Sequence, residues 1–125
     1  MQVCLKSNTQ QKWFLDSGCS RHMTGDPSNF TLLKKKEGGS VTFGDNSQGK
    51  IIGIGNVGKK NFTLSNVLLV EGLKHNLISI SQLCDNGFSV KFAPDSCKVM
   101  LNGKPVFTAL RSKNVYSVDF DSLIS

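Results

Sequence analysis

Apolar and polar residues alternate with a period of two along much of this chain, which is the spacing of half-buried strands. The pattern predicts a first strand over Lys12 to Asp16, where Trp13, Phe14 and Leu15 deliver a carboxylate into a run of small residues. Asp26-Pro27-Ser28-Asn29 reads as a turn, and Phe30 to Leu33 as a short apolar piece ended by Lys34-Lys35-Lys36 and Gly38-Gly39. Ser40 to Phe43 alternates and is a strand. Gly44 to Gly49 is a dense turn cluster, and Lys50 to Val57 returns as a second strand interrupted by Gly53 and Gly55. Together they predict a glycine-rich hairpin with an exposed tip. Phe62 to Val70 is a long strand rich in Leu and Val. The period then changes. Leu77, Ile80, Leu83 and Cys84 fall at helical spacing, with Ser79 or Asn76 as the cap and Gly87 past the end. Phe88 to Phe92 and Cys97 to Leu101 are strands, Asn102-Gly103 is a two-residue hairpin turn leading to Pro105-Val106-Phe107, and Val115 to Val118 is a last short strand. About eight strands, one helix and Gly-rich turns predict a mainly-β chain closed into a small β-barrel.

A chain of 125 residues with 38% hydrophobic content is the size of one domain and can bury a modest core. The polar stretch 1–11 is expected to be an N-terminal linker, 12–118 the domain, and 119–125 a C-terminal linker. No apolar run approaches the ~18 residues of a membrane span, and no secretory leader is visible. The net charge of +6 would suit an acidic partner. The lysines are scattered, however, apart from Lys34-Lys35-Lys36 and Lys59-Lys60, and no aromatics interleave them. Direct nucleic-acid binding is therefore not the expectation, and the lysine run reads as a solvated loop. The four cysteines, at 4, 19, 84 and 97, include no Cys-x-x-Cys pair. Cys19 and His22 have a ligand-like spacing, but two histidines in the whole chain leave a metal short of ligands. Free thiols in a reducing compartment fit better. Cys19 also lacks a base that would make it a nucleophile, since His22 is three residues away in the same turn and nothing marks His75 for the task.

The candidate chemistry is Asp16-Ser17-Gly18. A carboxylate at the end of an apolar strand is costly to bury unless something uses it. The same triplet also makes an ordinary turn, with Asp16 opening it and Ser17-Gly18 completing it. Hydrolysis of an amide at moderate pH wants both a base to activate water and an acid to protonate the substrate. The other acids, Asp26, Glu37, Asp45, Glu71, Asp85, Asp95, Asp119 and Asp121, mostly stand beside Gly, Asn, Pro or Ser and read as turn residues. No second Asp-Ser/Thr-Gly occurs. A mate for Asp16 would have to come from a second copy of the chain across a two-fold axis. Two carboxylates that close share a proton, so one serves as base and the other as acid.

The stretch Trp13 to Gly25 resembles the active-site segment of Copia-type LTR-retrotransposon proteases: an aromatic, a hydrophobic pair, Asp-Ser-Gly-Cys/Ala-Ser, and a His soon after. Trp13, Leu15, Asp16, Ser17, Gly18, Cys19, Ser20, His22, Met23 and Gly25 stand where that pattern puts them. The resemblance runs on to about Val118. It implies a retropepsin-type aspartic endopeptidase: a closed β-barrel with a flap hairpin and one short helix, active as a homodimer. Such an enzyme would process peptide segments of its own Gag–Pol polyprotein in the cytoplasm, inside virus-like particles, with no metal or organic cofactor. By the resemblance Asp16 is catalytic, Ser17 braces the active-site turns across the dimer axis, and Gly18 receives substrate backbone. The hairpin Val41 to Val57 would be the flap, with Asp45, Asn46, Ser47, Gln48 and Gly49 at its tip against the substrate. Asn76-Leu77-Ile78-Ser79 resembles the element that packs behind the catalytic turn. Ser20-Arg21 replaces the acidic pair of lentiviral relatives, so substrate contacts there do not carry over. His22 has two readings, lining the site or making a structural hydrogen bond in the turn. The competing reading of the whole chain is an inactive or domesticated remnant that binds protein or nucleic acid.

Overall fold

Trp13 is fully buried, and the strand that carries it lies between two others near the middle of a long curled sheet. The computed structural model describes residues 12–43, 45–59 and 62–119. These form β1 (Lys12–Asp16), β2 (Met23–Thr24), a 3-10 turn (Pro27–Asn29), β3 (Phe30–Lys35), β4 (Ser40–Thr42), β5 (Gln48–Lys59), β6 (Phe62–Val70), β7 (Asn76–Ser79), the helix α1 (Ile80–Asp85), β8 (Phe88–Phe92), β9 (Ser96–Leu101), β10 (Lys104–Ser112) and β11 (Val115–Asp119). The polar linker expected over 1–11, and all but Asp119 of the linker expected over 119–125, lie outside the described residues. No helix among the described residues is long and apolar enough to cross a membrane.

The strands pair in the order β3-β5-β6-β2-β7-β1-β11-β10-β9-β8, with β4 added on β5. Most pairs are antiparallel, but β1 runs parallel to β7 and β2 parallel to β6. The fold is mainly β with one short helix, as expected. The closed barrel is not what forms: the path is open, with β3 at one end and β8 at the other and no ladder between them. Both ends resist further pairing. Five of the six residues of β3 are exposed, among them Lys34 and Lys35, and β8 carries Lys91; lysine on an edge strand discourages another strand from adding.

Side chains join the two halves of the sheet as well as the ladders through its centre. Register shifts in β5 and β10 mark bulges that curl it. Val57, Phe62 and Leu64 are thereby brought into one core with Cys97, Val99, Phe107 and Ala109, around Trp13 and Ile78. The Phe62 ring meets those of Phe88 and Phe107, with centroids 5.5 and 5.3 Å apart. A smaller core of Met23, Ile51, Leu68 and Val70 lies beneath the β4–β5 hairpin.

Two local expectations change. Lys34 and Lys35 are not in a solvated loop but in β3, paired with Ile54 and Gly53, although their side chains stay exposed. Asn76 to Ser79 does not begin the helix. It is the strand β7, drawn into the sheet by β1, and Ser79 then caps α1 by accepting from the Gln82 N–H. The two-residue strand β2 gave no periodic signal at all.

Candidate active site

β1 is held on both sides, by β11 in antiparallel and by β7 in parallel register, and the β7 register sets Trp13 opposite Asn76 and Asp16 opposite Ser79. The chain leaves the sheet at Asp16. The Gly18 N–H donates to Asp16 Oδ1 at 2.7 Å, which folds the triplet into a tight turn. Asp16 is half-buried, while Ser17 and Gly18 are exposed. The three predicted catalytic residues are therefore together and open to solvent.

Behind this turn lies a buried polar network. Ser79 Oγ donates to the Cys19 carbonyl at 2.8 Å, and the Ser79 N–H donates to His22 Nδ1 at 2.9 Å. The His22 N–H donates to Gln82 Oε1 at 2.8 Å, and the Gln82 amide nitrogen reaches the carbonyls of Ser65 and Asn66 at 3.0 and 3.3 Å. A second set ties the strands together below. Thr24 Oγ1 donates to Asn76 Oδ1 at 2.6 Å, Asn29 donates to both, and Asn76 Nδ2 reaches the Lys12 carbonyl at 3.0 Å. Gln82, Thr24 and Asn29 escaped the sequence reading. Only Gln82, between Ile80 and Leu83, has apolar neighbours that could mark it; Thr24 and Asn29 stand in mostly polar surroundings, and such residues are commonly exposed.

Asp16 borders two clefts. One, of about 500 Å³, is walled by Cys19, Met23, Leu77 and the hairpin residues Val41 and Phe43. The other, of about 470 Å³, lies against Phe14, Ser17, His75, Leu77 and Val115. Among the described residues no other carboxylate lines either one. A larger cleft of about 770 Å³, with Lys12, Asp26 and Lys74 on its rim, continues past Phe14 and His75, whose rings meet edge to face at 6.0 Å.

The hairpin itself forms as expected, with Val41 opposite Gly49. Asp45, Asn46, Ser47, Gln48 and Gly49 line neither of these clefts; β4 and Phe43, which follows it, line the first. Asp45 instead holds its own turn, accepting from the Ser47 N–H at 3.0 Å and the Ser47 hydroxyl at 2.6 Å. Those hydrogen bonds keep its carboxyl below the usual range. Gly49 is buried, and a Cβ there would stand 3.0 Å from the Phe43 ring.

Of the two readings of His22, the structural one holds: it is buried and does not line either cleft bordered by Asp16. Burial, and secondarily the neighbouring Arg21 charge, lowers its pKa to about 4. Burial, and then the Asp16 charge, raises the Cys19 thiol to about 11, which keeps it protonated and unsuited to nucleophilic attack near neutral pH. No three of His, Cys, Asp and Glu converge on a metal-sized site among the described residues.

Residues 13–88 match the family described as "Pol polyprotein, beta-barrel domain". The chain belongs to that family. The chain is 33% identical over 116 residues to the retrovirus-related Pol polyprotein from transposon RE1 of Arabidopsis thaliana, a match covering 86% of this chain and 8% of that protein. It is 32% identical over 112 residues to the corresponding polyprotein from transposon RE2 of the same plant, covering 83% of this chain and 8% of the relative. The chain thus spans a small fraction of each relative's length. No solved structure matches it. The family match begins at the buried Trp13 and ends at the first residue of β8, so it takes in the Asp16 turn, the hairpin and the Ser79–Gln82 brace.

Proposed function

We propose that this chain is an aspartic endopeptidase that works as a homodimer and cuts the polyprotein it belongs to. The observation that carries this reading is the position of Asp16. It is the one carboxylate lining two adjoining clefts among the described residues, at an exposed Asp-Ser-Gly turn held from behind. A single carboxylate supplies a base or an acid but not both. A two-fold axis through the exposed turn supplies the second from another copy, and isologous contact places the two turns face to face. One Asp16 then takes a proton from the attacking water while its protonated mate donates to the substrate carbonyl. Ser17 braces the paired turns, and Gly18 leaves room for substrate backbone. The β4–β5 hairpin closes over the peptide. The catalytic unit is 12–118, flanked by linkers, and it acts in the cytoplasm on the assembling particle, without a metal or organic cofactor.

The test is to purify the chain with its flanking polyprotein sequence and follow cleavage beside Asp16→Ala, over a range of protein concentrations and from acid to neutral pH. Cleavage that vanishes in the variant, and rises faster than linearly with concentration, is the expected result. Cleavage that survives Asp16→Ala overturns the assignment. A folded chain that cleaves nothing at any concentration or pH points instead to an inert remnant that binds without reacting.

A further inference from the structure

His22 is a buried titratable group to which the proposed reaction assigns no task. Its bonding is nonetheless specific. A backbone N–H can only donate, so the 2.9 Å contact from the Ser79 N–H requires His22 Nδ1 to be the bare acceptor and places the ring proton on Nε2. The rest of the residue is pinned as well, its N–H by Gln82 Oε1 and its carbonyl by the Leu68 N–H at 2.9 Å. Ser79 is therefore gripped from one side by an imidazole. On the other side its hydroxyl holds the Cys19 carbonyl, and its backbone is the ladder partner of Asp16. Imidazole, Ser79 and the Asp-Ser-Gly-Cys turn form one continuous chain of contacts.

We propose that His22 is a positioning residue for Asp16: its neutral imidazole holds Ser79, Ser79 holds the catalytic turn, and a proton added at Nδ1 releases both. The inference rests on the protease reading for its consequence in activity, but not for the contact itself. A protonated Nδ1 sets two N–H donors against each other, and Ser79 must move away. Among the described residues no carboxylate is hydrogen-bonded to the ring. β6 and β7 contribute no ionisable side chain to the surroundings, α1 offers Cys84 and Asp85, both exposed, β1 and its turn offer half-buried Asp16 and Cys19, and Arg21 beside it is positive and opposes the new charge. The turn is thus disengaged by acid from behind, independently of the protonation of Asp16 itself.

Two measurements on the full chain test this. In the first, NMR follows the His22 ring nitrogens and the amides of Gly18, Cys19 and Ser79 as pH is lowered. The expected result is an unprotonated Nδ1 at neutral pH, and a common titration of ring and amides near the low value that burial dictates. Titration of the ring with no change in the turn amides, or a proton found on Nδ1 at neutral pH, overturns the proposal. In the second, cleavage is compared for wild type, His22→Asn, whose side-chain oxygen stands close to where Nδ1 was, and His22→Gln, whose acceptor is displaced. His22→Asn is expected to keep kcat within about threefold and to carry activity to lower pH than wild type, whereas His22→Gln loses about tenfold or more in kcat with little change in KM. Equal acid limbs in wild type and His22→Asn overturn it. If wild type cleaves nothing, the protease reading falls by itself, and the NMR titration still decides the brace.

Discussion

Asp16 and Ser79 stand opposite each other in the parallel ladder of β1 and β7. That one register unites the site. β1 ends in the carboxylate, β7 ends in the residue that caps α1, and the helix cap also holds the turn that follows the carboxylate. A strand, a helix start and a functional turn therefore depend on a single hydroxyl.

Ser79→Ala tests that dependence. It removes the acceptor of the Gln82 N–H and the donor to the Cys19 carbonyl while leaving the backbone ladder intact. Loss of such a cap lowers stability by about 1–2 kcal/mol. The fall is read as a shift in urea midpoint at constant slope, with the single tryptophan, buried Trp13, as the fluorescent reporter. An unchanged midpoint would show that the hydroxyl is dispensable.

His22 predicts how stability varies with pH. Its pKa falls from 6.5 in the unfolded chain to about 4 in the fold. The unfolded state binds the proton first, so the contribution of this residue is whole above about pH 6.5. It declines as pH drops from there towards 4 and is spent below that. The depth of the decline is about 3 kcal/mol, since each unit of displacement corresponds to about 1.4 kcal/mol. Urea titrations at half-unit steps should show this slope in wild type and a flatter one in His22→Asn. Parallel curves for the two would contradict the assignment.

Gly25 closes the motif, and its reason is steric. A Cβ built there runs into the Leu73 carbonyl oxygen, just before β7 begins. Backbone cannot retreat as a flexible side chain can, so Gly25→Ala should cost about 1–3 kcal/mol, the usual range for overpacking. A thermal melt of the variant checks this. A melting temperature equal to wild type would mean that the segment carrying Leu73 yields freely.

These residues also show what a sequence can and cannot disclose. Short-range chemistry was legible. Asn102-Gly103 turns with φ of 54° and 81°, the paired positive values of the hairpin turn predicted for it, and Ser79 caps the helix. Asp16, Ser17 and Gly18 could be found because their chemistry lies in adjacent residues. What failed depended on distant partners. Leu77 fits helical spacing with Ile80 and Leu83, yet β1, more than sixty residues earlier, takes it into the sheet opposite Phe14. Barrel closure turns on whether the edges of β3 and β8 meet, and periodicity within a strand says nothing of that. The clefts follow the same rule. Which part of the hairpin walls the cleft beside Asp16, Ser40 to Phe43, is set by the fold and not by any local pattern.

That placement yields a prediction about substrate contact. Phe43 walls the cleft beside Asp16, whereas Asn46 sits exposed at the tip with φ of 69°, a conformation glycine adopts easily. If peptides bind where the cleft is, Phe43→Ala should lower kcat/KM by about tenfold or more, the scale on which an apolar pocket discriminates. Asn46→Gly should leave it within about twofold of wild type, because it changes neither the wall nor the turn. Phe43→Leu separates lost contact from a loosened hairpin: it keeps an apolar wall over Met23 and Leu77 and should recover most of the activity. The opposite ranking, with Asn46→Gly the damaging change, would place the peptide under the tip and return the contact to Asp45–Gly49.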